Sequence, residues 1–127
     1  MEKYVDVTKT AAEVGYGFST LKAPVLISPK LWDICVRWND EDTNAQEYQE
    51  QETRLWDILF VCGTTLEMNI NSFINSMAHQ FHILVIPRDG ESIMPVKAVM
   101  KATGNPEHGT LEIDLFELIS EESEELW

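Results

Sequence analysis

Hydrophobic residues recur with helical spacing in two parts of the chain. The first helix is predicted after Ser28-Pro29, where a capping hydroxyl precedes a proline in the first turn. Its apolar positions are Leu31, Ile34, Cys35 and Trp38. A longer helix is predicted over residues 55–66, with one face formed by Leu55, Ile58, Leu59, Cys62 and Leu66 and widened by Trp56 and Phe60. Because this second helix is so apolar, we expect it to be the central one.

The N-terminal third predicts smaller elements. Thr8 is a plausible N-cap for a short helix that ends at Gly15. Residues 24–27 are apolar and β-branched, which is typical of either a buried strand or an extended segment. Further along the chain, residues 69–76 are expected to form a polar connection.

The C-terminal third changes to the two-residue period of strands. Strands are predicted over residues 81–86, 96–102 and 111–115, separated by an Asp89-Gly90 turn and a second turn at 104–109. The predicted fold class is α+β, with a three-stranded or slightly larger antiparallel sheet packed against a long central helix and one or two shorter helices. We expect residues 1–119 to form a single domain and residues 120–127 an acidic C-terminal tail.

The charge balance narrows the classes of partner. Nine Lys and Arg stand against 22 Asp and Glu, a formal net charge of −13. Nucleic acid and anionic lipid repel such a chain, so the sequence disfavours both as direct partners and favours a basic protein. The N-terminus lacks the apolar stretch of a signal peptide, and no run approaches the ~20 apolar residues of a membrane span, so we expect a cytoplasmic protein.

No pattern in the sequence indicates catalysis or a cofactor. His79 and His82 would point to opposite faces of a strand, so they are poorly spaced to share a metal ion. Cys35 and Cys62 lie on apolar helix faces and are expected to be buried, free thiols. Gly-x-Ser-x-Gly and phosphate-loop patterns are missing from the sequence. We therefore expect a protein that is not an enzyme and holds neither cofactor nor metal.

The acidic residues are concentrated before the long helix, and this cluster is the predicted partner-binding site: Asp40, Glu41, Asp42, Glu47, Glu50 and Glu52. One interpretation is a solvated face. The other is a surface whose carboxylates imitate nucleic-acid phosphates, which in a duplex supply one charge about every 1.7 Å of axis. The tryptophans at 32, 38 and 56 also have two interpretations, as core residues or as a partner-binding patch.

Several segments together resemble a family of small, uncharacterised acidic proteins encoded on bacterial plasmids, integrative elements and phages. The resemblance extends to about residue 115 and departs at 104–109, where the family has a glycine-proline-glycine-acid run. The segments that carry it are Val5-Asp6-Val7-Thr8, Ala11-Ala12-Glu13-Val14-Gly15, Pro24-Val25, Trp32 with Cys35-Val36 and Trp38, Arg54-Leu55-Trp56-Asp57-Ile58-Leu59, Ile86-Pro87-Arg88 and the strand from Val96 to Lys101.

The resemblance implies a mobile-element setting, in which small acidic proteins often block host defence systems. Together with the charge, it predicts a non-enzymatic binding protein that inhibits a host defence or nucleic-acid-handling enzyme, of the anti-CRISPR or anti-restriction type, through its acidic surface. The alternative is an accessory or assembly module that binds a protein partner through an apolar, tryptophan-bearing patch.

Overall fold

A five-stranded mixed sheet forms the centre of the computed structural model, which describes residues 3–119. Its strands are β1 (Val5–Asp6), β2 (Val25–Ile27), β3 (Ala78–Val85), β4 (Val96–Asn105) and β5 (Thr110–Ile119), in the order β1-β2-β5-β4-β3. The antiparallel meander of β3, β4 and β5 confirms the sequence prediction. Two further strands, β1 and β2, extend the sheet beyond the three that were identified in the sequence. The prediction of a wholly antiparallel sheet is wrong, because β2 joins β5 in parallel.

Within residues 3–119, six α-helices and one π-helical turn accompany the sheet, more than the long helix and one or two shorter helices that were predicted. They are α1 (Thr8–Val14), α2 (Gly17–Leu21), α3 (Pro29–Leu31), the π-helical turn (Trp32–Val36), α4 (Asp40–Ala45), α5 (Gln51–Met68) and α6 (Ile70–Ser76). Alternate residues of β4, at Ala98, Met100 and Ala102, are fully buried in one core cluster with side chains of α5. On the opposite face, Lys101 and Thr103 are exposed, while Val99, at a β-bulge, is 8 % exposed but lies outside the core cluster. Within residues 3–119 the helices therefore pack against one face of the sheet.

Helix α5 is the predicted long helix, but its buried face differs from the prediction. Ile58, Leu59, Cys62 and Leu66 are at most 1 % exposed, whereas Trp56 and Phe60 are each 42 % exposed. The prediction that Trp56 and Phe60 belong to the buried face is therefore wrong. Their four-residue spacing places them together on a neighbouring face, where they contact each other instead of the sheet.

Both cysteines are buried and free, as predicted. Burial raises the pKa of the Cys35 thiol to about 11 and also raises the pKa of Cys62. Both side chains therefore act as small apolar core residues.

The predicted start and end of the first short helix were partly correct. Gly15 ends α1 with φ of 82°, a left-handed conformation that glycine adopts at no steric cost. The predicted N-cap was wrong, because Val7 occupies that position and Thr8 is the first helical residue. The Thr8 hydroxyl instead donates to Asp6 Oδ1 at 2.6 Å and accepts from the backbone N–H of Val25 at 2.9 Å, which ties α1 to β2.

Three other segments differ from the prediction in length or type. The helix after Ser28 starts as expected, with the Ser28 hydroxyl accepting from Leu31 N–H, but it changes to π-helical spacing at Trp32. The predicted polar connection at 69–76 is helix α6, because Phe73 inserts into the core. The Asp89-Gly90 turn is part of a longer connection over residues 86–95.

None of the helices within residues 3–119 has the length and apolar character required to cross a lipid bilayer. The predicted acidic tail at 120–127 lies outside the described residues.

Candidate partner-binding surface

Five of the six predicted acids are exposed on α4, the first turn of α5 and the connection between these helices. Asp40 and Glu41 lie in the first turn of α4, and Glu52 lies in the first turn of α5. Carboxylates at these positions interact favourably with the positive end of a helix dipole, which helps both helices to begin there. Glu47 and Glu50 occupy the connection. We call these five exposed residues, Asp40, Glu41, Glu47, Glu50 and Glu52, the acidic surface.

Asp42, the sixth predicted acid, has a different role. It is only 8 % exposed, so its assignment to an exposed binding surface is wrong. Its carboxylate accepts from Asn39 N–H at 2.9 Å while Asn39 Oδ1 accepts from Asp42 N–H at 3.0 Å, a reciprocal cap at the start of α4. The same carboxylate accepts from Arg88 Nε at 2.8 Å. Asp42 therefore fastens α4 to the segment that follows β3.

Several causes act on the pKa of the Asp42 carboxyl. Burial raises it, but the hydrogen bonds from Arg88 and from the backbone, with the positive charges of Arg88 and Arg54, outweigh burial and lower the pKa below its ordinary value. Asp42 is consequently ionised at neutral pH.

Arg54 lies beneath the acidic surface, and its guanidinium is buried. It donates to three carbonyl oxygens: Val36 at 3.0 Å, Ile86 at 2.9 Å and Ile34 at 3.1 Å. It also lies 4.4 Å from the ring centroid of Trp38, a cation–π geometry. Burial lowers the pKa of Arg54 to about 10. The side chain therefore joins α5 to the π-helical turn and to the end of β3 while remaining charged at neutral pH.

Because Arg54 is buried, its positive charge is not exposed among the carboxylates of the acidic surface. Arg54 is the only Lys or Arg between residues 38 and 60, and it is 6 % exposed. Its structural role was missed in the sequence, although one signal was available. Arg54 precedes Ile58, Cys62 and Leu66 at four-residue intervals, which places it on the buried face of α5.

Gln46 completes the support of the acidic surface. Its side-chain N–H₂ donates to Pro87 O at 2.9 Å and Ser92 O at 2.7 Å. Its carbonyl oxygen accepts from the backbone N–H groups of Asp89 at 3.2 Å and Gly90 at 2.9 Å. Both N–H donors and the carbonyl oxygen are thus used to hold the 87–92 segment against the end of α4, and the acidic residues project from a fixed backbone.

A row of exposed aromatic side chains is formed by one residue just before α2 and two residues of α5. Trp56 stacks on Phe60, with ring centroids 6.0 Å apart and planes 18° apart, and Tyr16 meets Phe60 edge-on at 5.9 Å. We call Tyr16, Trp56 and Phe60 the aromatic row. Glu52 and Asp57 line a shallow depression beside Trp56, so the row borders the acidic surface.

The tryptophans at 32 and 38 are less accessible to a partner than Trp56. Trp38 is 6 % exposed and its indole N–H donates to Thr43 Oγ1 at 3.2 Å. Trp32 is half-buried against the core. Of these three tryptophans, Trp56 is the one that belongs to an exposed aromatic patch.

A groove of about 540 Å³ opens between the α4–α5 connection and the C-terminal end of β3. Glu47 and Asp57 lie on its helical side, and Ile93 and Met94 contribute exposed apolar side chains. The consecutive residues 83–86 all line it. Since successive strand side chains point to opposite faces, this is possible only where the groove follows the free edge of β3.

The two histidines of β3, His79 and His82, lie in different surroundings. His79 Nε2 is 2.8 Å from Thr65 Oγ1, and burial lowers the pKa of His79, whereas His82 is exposed. Within the described part of the chain, no group of three or more His, Cys, Asp or Glu side chains is arranged to hold a metal ion.

Comparisons of the chain with protein-family models, with curated proteins and with solved structures found no match.

Proposed function

We propose that this protein is a non-enzymatic binding protein that engages a basic protein partner through the acidic surface. The observation that carries the proposal is the placement of five exposed carboxylates on a backbone held by Arg54, Gln46 and the Asp42–Arg88 ion pair. Charges on an ordered backbone lose less conformational entropy on binding than charges on a mobile segment. The acidic surface is therefore preorganised for an oppositely charged surface.

The class of partner follows from the charge. A net charge of −13 steers basic proteins toward this one and repels nucleic acid. A basic groove that normally holds DNA or RNA is the protein surface most complementary to a dense array of carboxylates. We infer a nucleic-acid-handling enzyme of a bacterial host as the partner, with the protein acting in the cytoplasm as an inhibitor of the anti-CRISPR or anti-restriction type.

Charge reversal at Glu47, Glu50 and Glu52 tests this proposal. The wild-type chain and the Glu47→Lys/Glu50→Lys/Glu52→Lys variant are immobilised, and proteins are captured from a bacterial host lysate at low and high salt. We expect the wild type to retain a basic protein that is released by salt and by competing duplex DNA or RNA. The variant should lose at least tenfold in affinity for that protein, because three attractive charges become repulsive.

The matched control reverses three exposed acids on elements that carry no part of the acidic surface, at Glu13 of α1, Glu107 of the turn after β4 and Glu117 of β5. It makes the same change in net charge, so it should retain the partner if position matters and not only total charge. An equal loss of affinity in both variants would show that only the total charge matters. Unchanged affinity in the first variant would show that the acidic surface is not part of the interface.

The exposed stacking of Trp56 on Phe60 favours a second candidate, an assembly module that binds a protein through the aromatic row. Large aromatic side chains contribute heavily to interface affinity, and apolar association persists at high ionic strength. A captured protein that resists salt but is lost from Trp56→Ala/Phe60→Ala would support this function in place of the first.

A further inference from the structure

An uncharged segment of the chain coincides with one edge of the sheet. Residues 68–87 contain no Asp, Glu, Lys or Arg, although the chain as a whole has 31 such residues. This segment comprises α6 and β3. It also carries exposed apolar side chains, with Met68 82 % exposed, Ile74 56 % and Leu84 55 %. A protein of such high negative charge therefore presents one neutral, partly apolar edge.

The two edges of the sheet differ in length. β1 has two residues, one of them Asp6, whereas β3 has eight residues and pairs with β4 on one side. Beyond that ladder, no backbone–backbone hydrogen bond joins residues 79–85 to another described segment. Natural proteins commonly protect such an edge with charges, proline or a bulge. The interior of β3 has none of these features.

We propose that a second copy of this chain pairs with β3 along this edge, antiparallel and about a two-fold axis, so that two sheets join into one. An isologous contact of this kind requires a surface that complements itself. An unpaired strand supplies donors and acceptors in alternation, and antiparallel pairing of two identical strands satisfies both sets.

The distribution of charge favours a second copy of this chain as the molecule that pairs with the β3 edge. Two molecules that each carry −13 repel each other over most of their surfaces, and the uncharged α6–β3 edge is where their approach costs least. A basic partner would gain little from α6 and β3 themselves, because its attraction is directed to carboxylates and residues 68–87 contain none.

The groove at the end of β3 selects the antiparallel arrangement. Glu47 and Asp57 line the groove beside residues 83–86. Parallel pairing would bring the grooves of both copies together with their four carboxylates. Antiparallel pairing places each groove opposite the partner's α6 end, where Ile74 is uncharged and exposed. The apolar groove lining at Ile93 and Met94 then lies beside an apolar surface.

The test places charge on the edge without disturbing the fold. Gln80 and His82 are exposed on β3, and Gln80 lies opposite Lys101 of β4, so a glutamate at position 80 would have a basic neighbour within its own chain. The edge variant is Gln80→Glu/His82→Glu. The control variant, Ala12→Glu/Asn44→Asp, adds two carboxylates at exposed positions of α1 and α4. Sedimentation velocity over a concentration series gives the mass, and circular dichroism verifies the fold.

We expect the wild type and the control to approach twice 14.6 kDa as concentration rises, while the edge variant stays at 14.6 kDa. Hydrogen exchange at β3 should slow as concentration rises in the wild type and in the control variant, but not in the edge variant. A wild type that is monomeric at every concentration overturns the proposal. So does an edge variant that dimerises as the wild type does, or a β3 edge that gains protection only when a different protein is added.

Discussion

At positions 42 and 54, charged side chains are buried inside the protein, although nearby carboxylates in the sequence remain in solvent. Asp42 and Asp40 are two residues apart, yet one caps α4 and binds Arg88 while the other is exposed. Arg54 donates to three backbone carbonyls and to the side-chain oxygen of Gln49, and within residues 3–119 none of its hydrogen bonds goes to the neighbouring acids. Removing either buried partner would leave polar groups unpaired in the interior, which is costly.

Asp42→Asn should lower the free energy of unfolding at pH 7 by about 1–3 kcal/mol, because it weakens the cap of α4 and the ion pair with Arg88. The pKa of Asp42 is lower in the folded protein than its ordinary value of 3.8. The stabilisation that the ionised Asp42 carboxylate gives to the fold is therefore fully present above pH 3.8, and it is lost as the pH falls through the lowered pKa of the folded state. Denaturant melts of both proteins from pH 7 downward measure the difference, which should narrow below about pH 4.

The control for this prediction is Asp40→Asn, at an exposed position of the same helix. It should change stability by less than about 0.5 kcal/mol at any pH. A stability difference for Asp42→Asn that stayed constant into acid would contradict an ionised, paired carboxylate.

At the scale of elements, α5 connects the core to both candidate surfaces. Its Leu59 face is buried against the sheet, its first turn carries Glu52, and Trp56 and Phe60 lie on its exposed side. Different faces of one helix thus carry the residues that form the core and the residues that a partner can reach.

Leu59→Ala should cost about 2–5 kcal/mol in a denaturant melt, the usual range for removing a fully buried leucine. Leu59 is 0 % exposed. The comparison variant, Trp56→Ala, removes a larger side chain from the same helix but should cost only about 1 kcal/mol, chiefly through its contact with Phe60. Equal losses would mean that the faces of α5 are assigned wrongly.

Elements with strong local patterns could be predicted from the sequence, and those that depend on distant partners could not. The alternation around Leu111 and Ile113 was enough to identify β5, and the spacing of Ile58, Cys62 and Leu66 was enough for α5. The pattern at 24–27 left a strand and an extended segment open, because β2 depends on its pairing with the distant β5, and the burial of Asp42 depends on Arg88, 46 residues away. Exposure of Glu47, Glu50 and Glu52 follows from their charge alone, but the network that orders them does not.

At the scale of the whole molecule, the net charge of −13 opposes folding as well as self-association. Raising the salt concentration from about 0.01 M to about 0.15 M shortens the Debye length from roughly 30 Å to roughly 8 Å. We expect the midpoint of thermal unfolding at neutral pH to rise by about 3 °C, as a gain of about 1 kcal/mol would give for a chain of this size.

Calorimetry at the two salt concentrations measures this shift, and the control is the same pair of measurements near pH 4.4. That value is the isoelectric point calculated from the sequence, where self-repulsion is least and the salt effect should largely vanish. A midpoint that falls with salt at neutral pH would show that attractive ion pairs outweigh repulsion in the folded protein.

The parallel pairing of β2 with β5 has a consequence for how the protein is made. Val25 of β2 lies opposite Leu111 of β5, and β5 is the middle strand of the sheet. A ribosome synthesises the N-terminal strands long before it reaches β5, so the side of β2 that faces β5 must stay unpaired, with its apolar side chains uncovered, until β5 emerges. The nascent chain is therefore expected to complete its sheet only after β5 has been synthesised, and it is during this interval that a chaperone would have the most to protect.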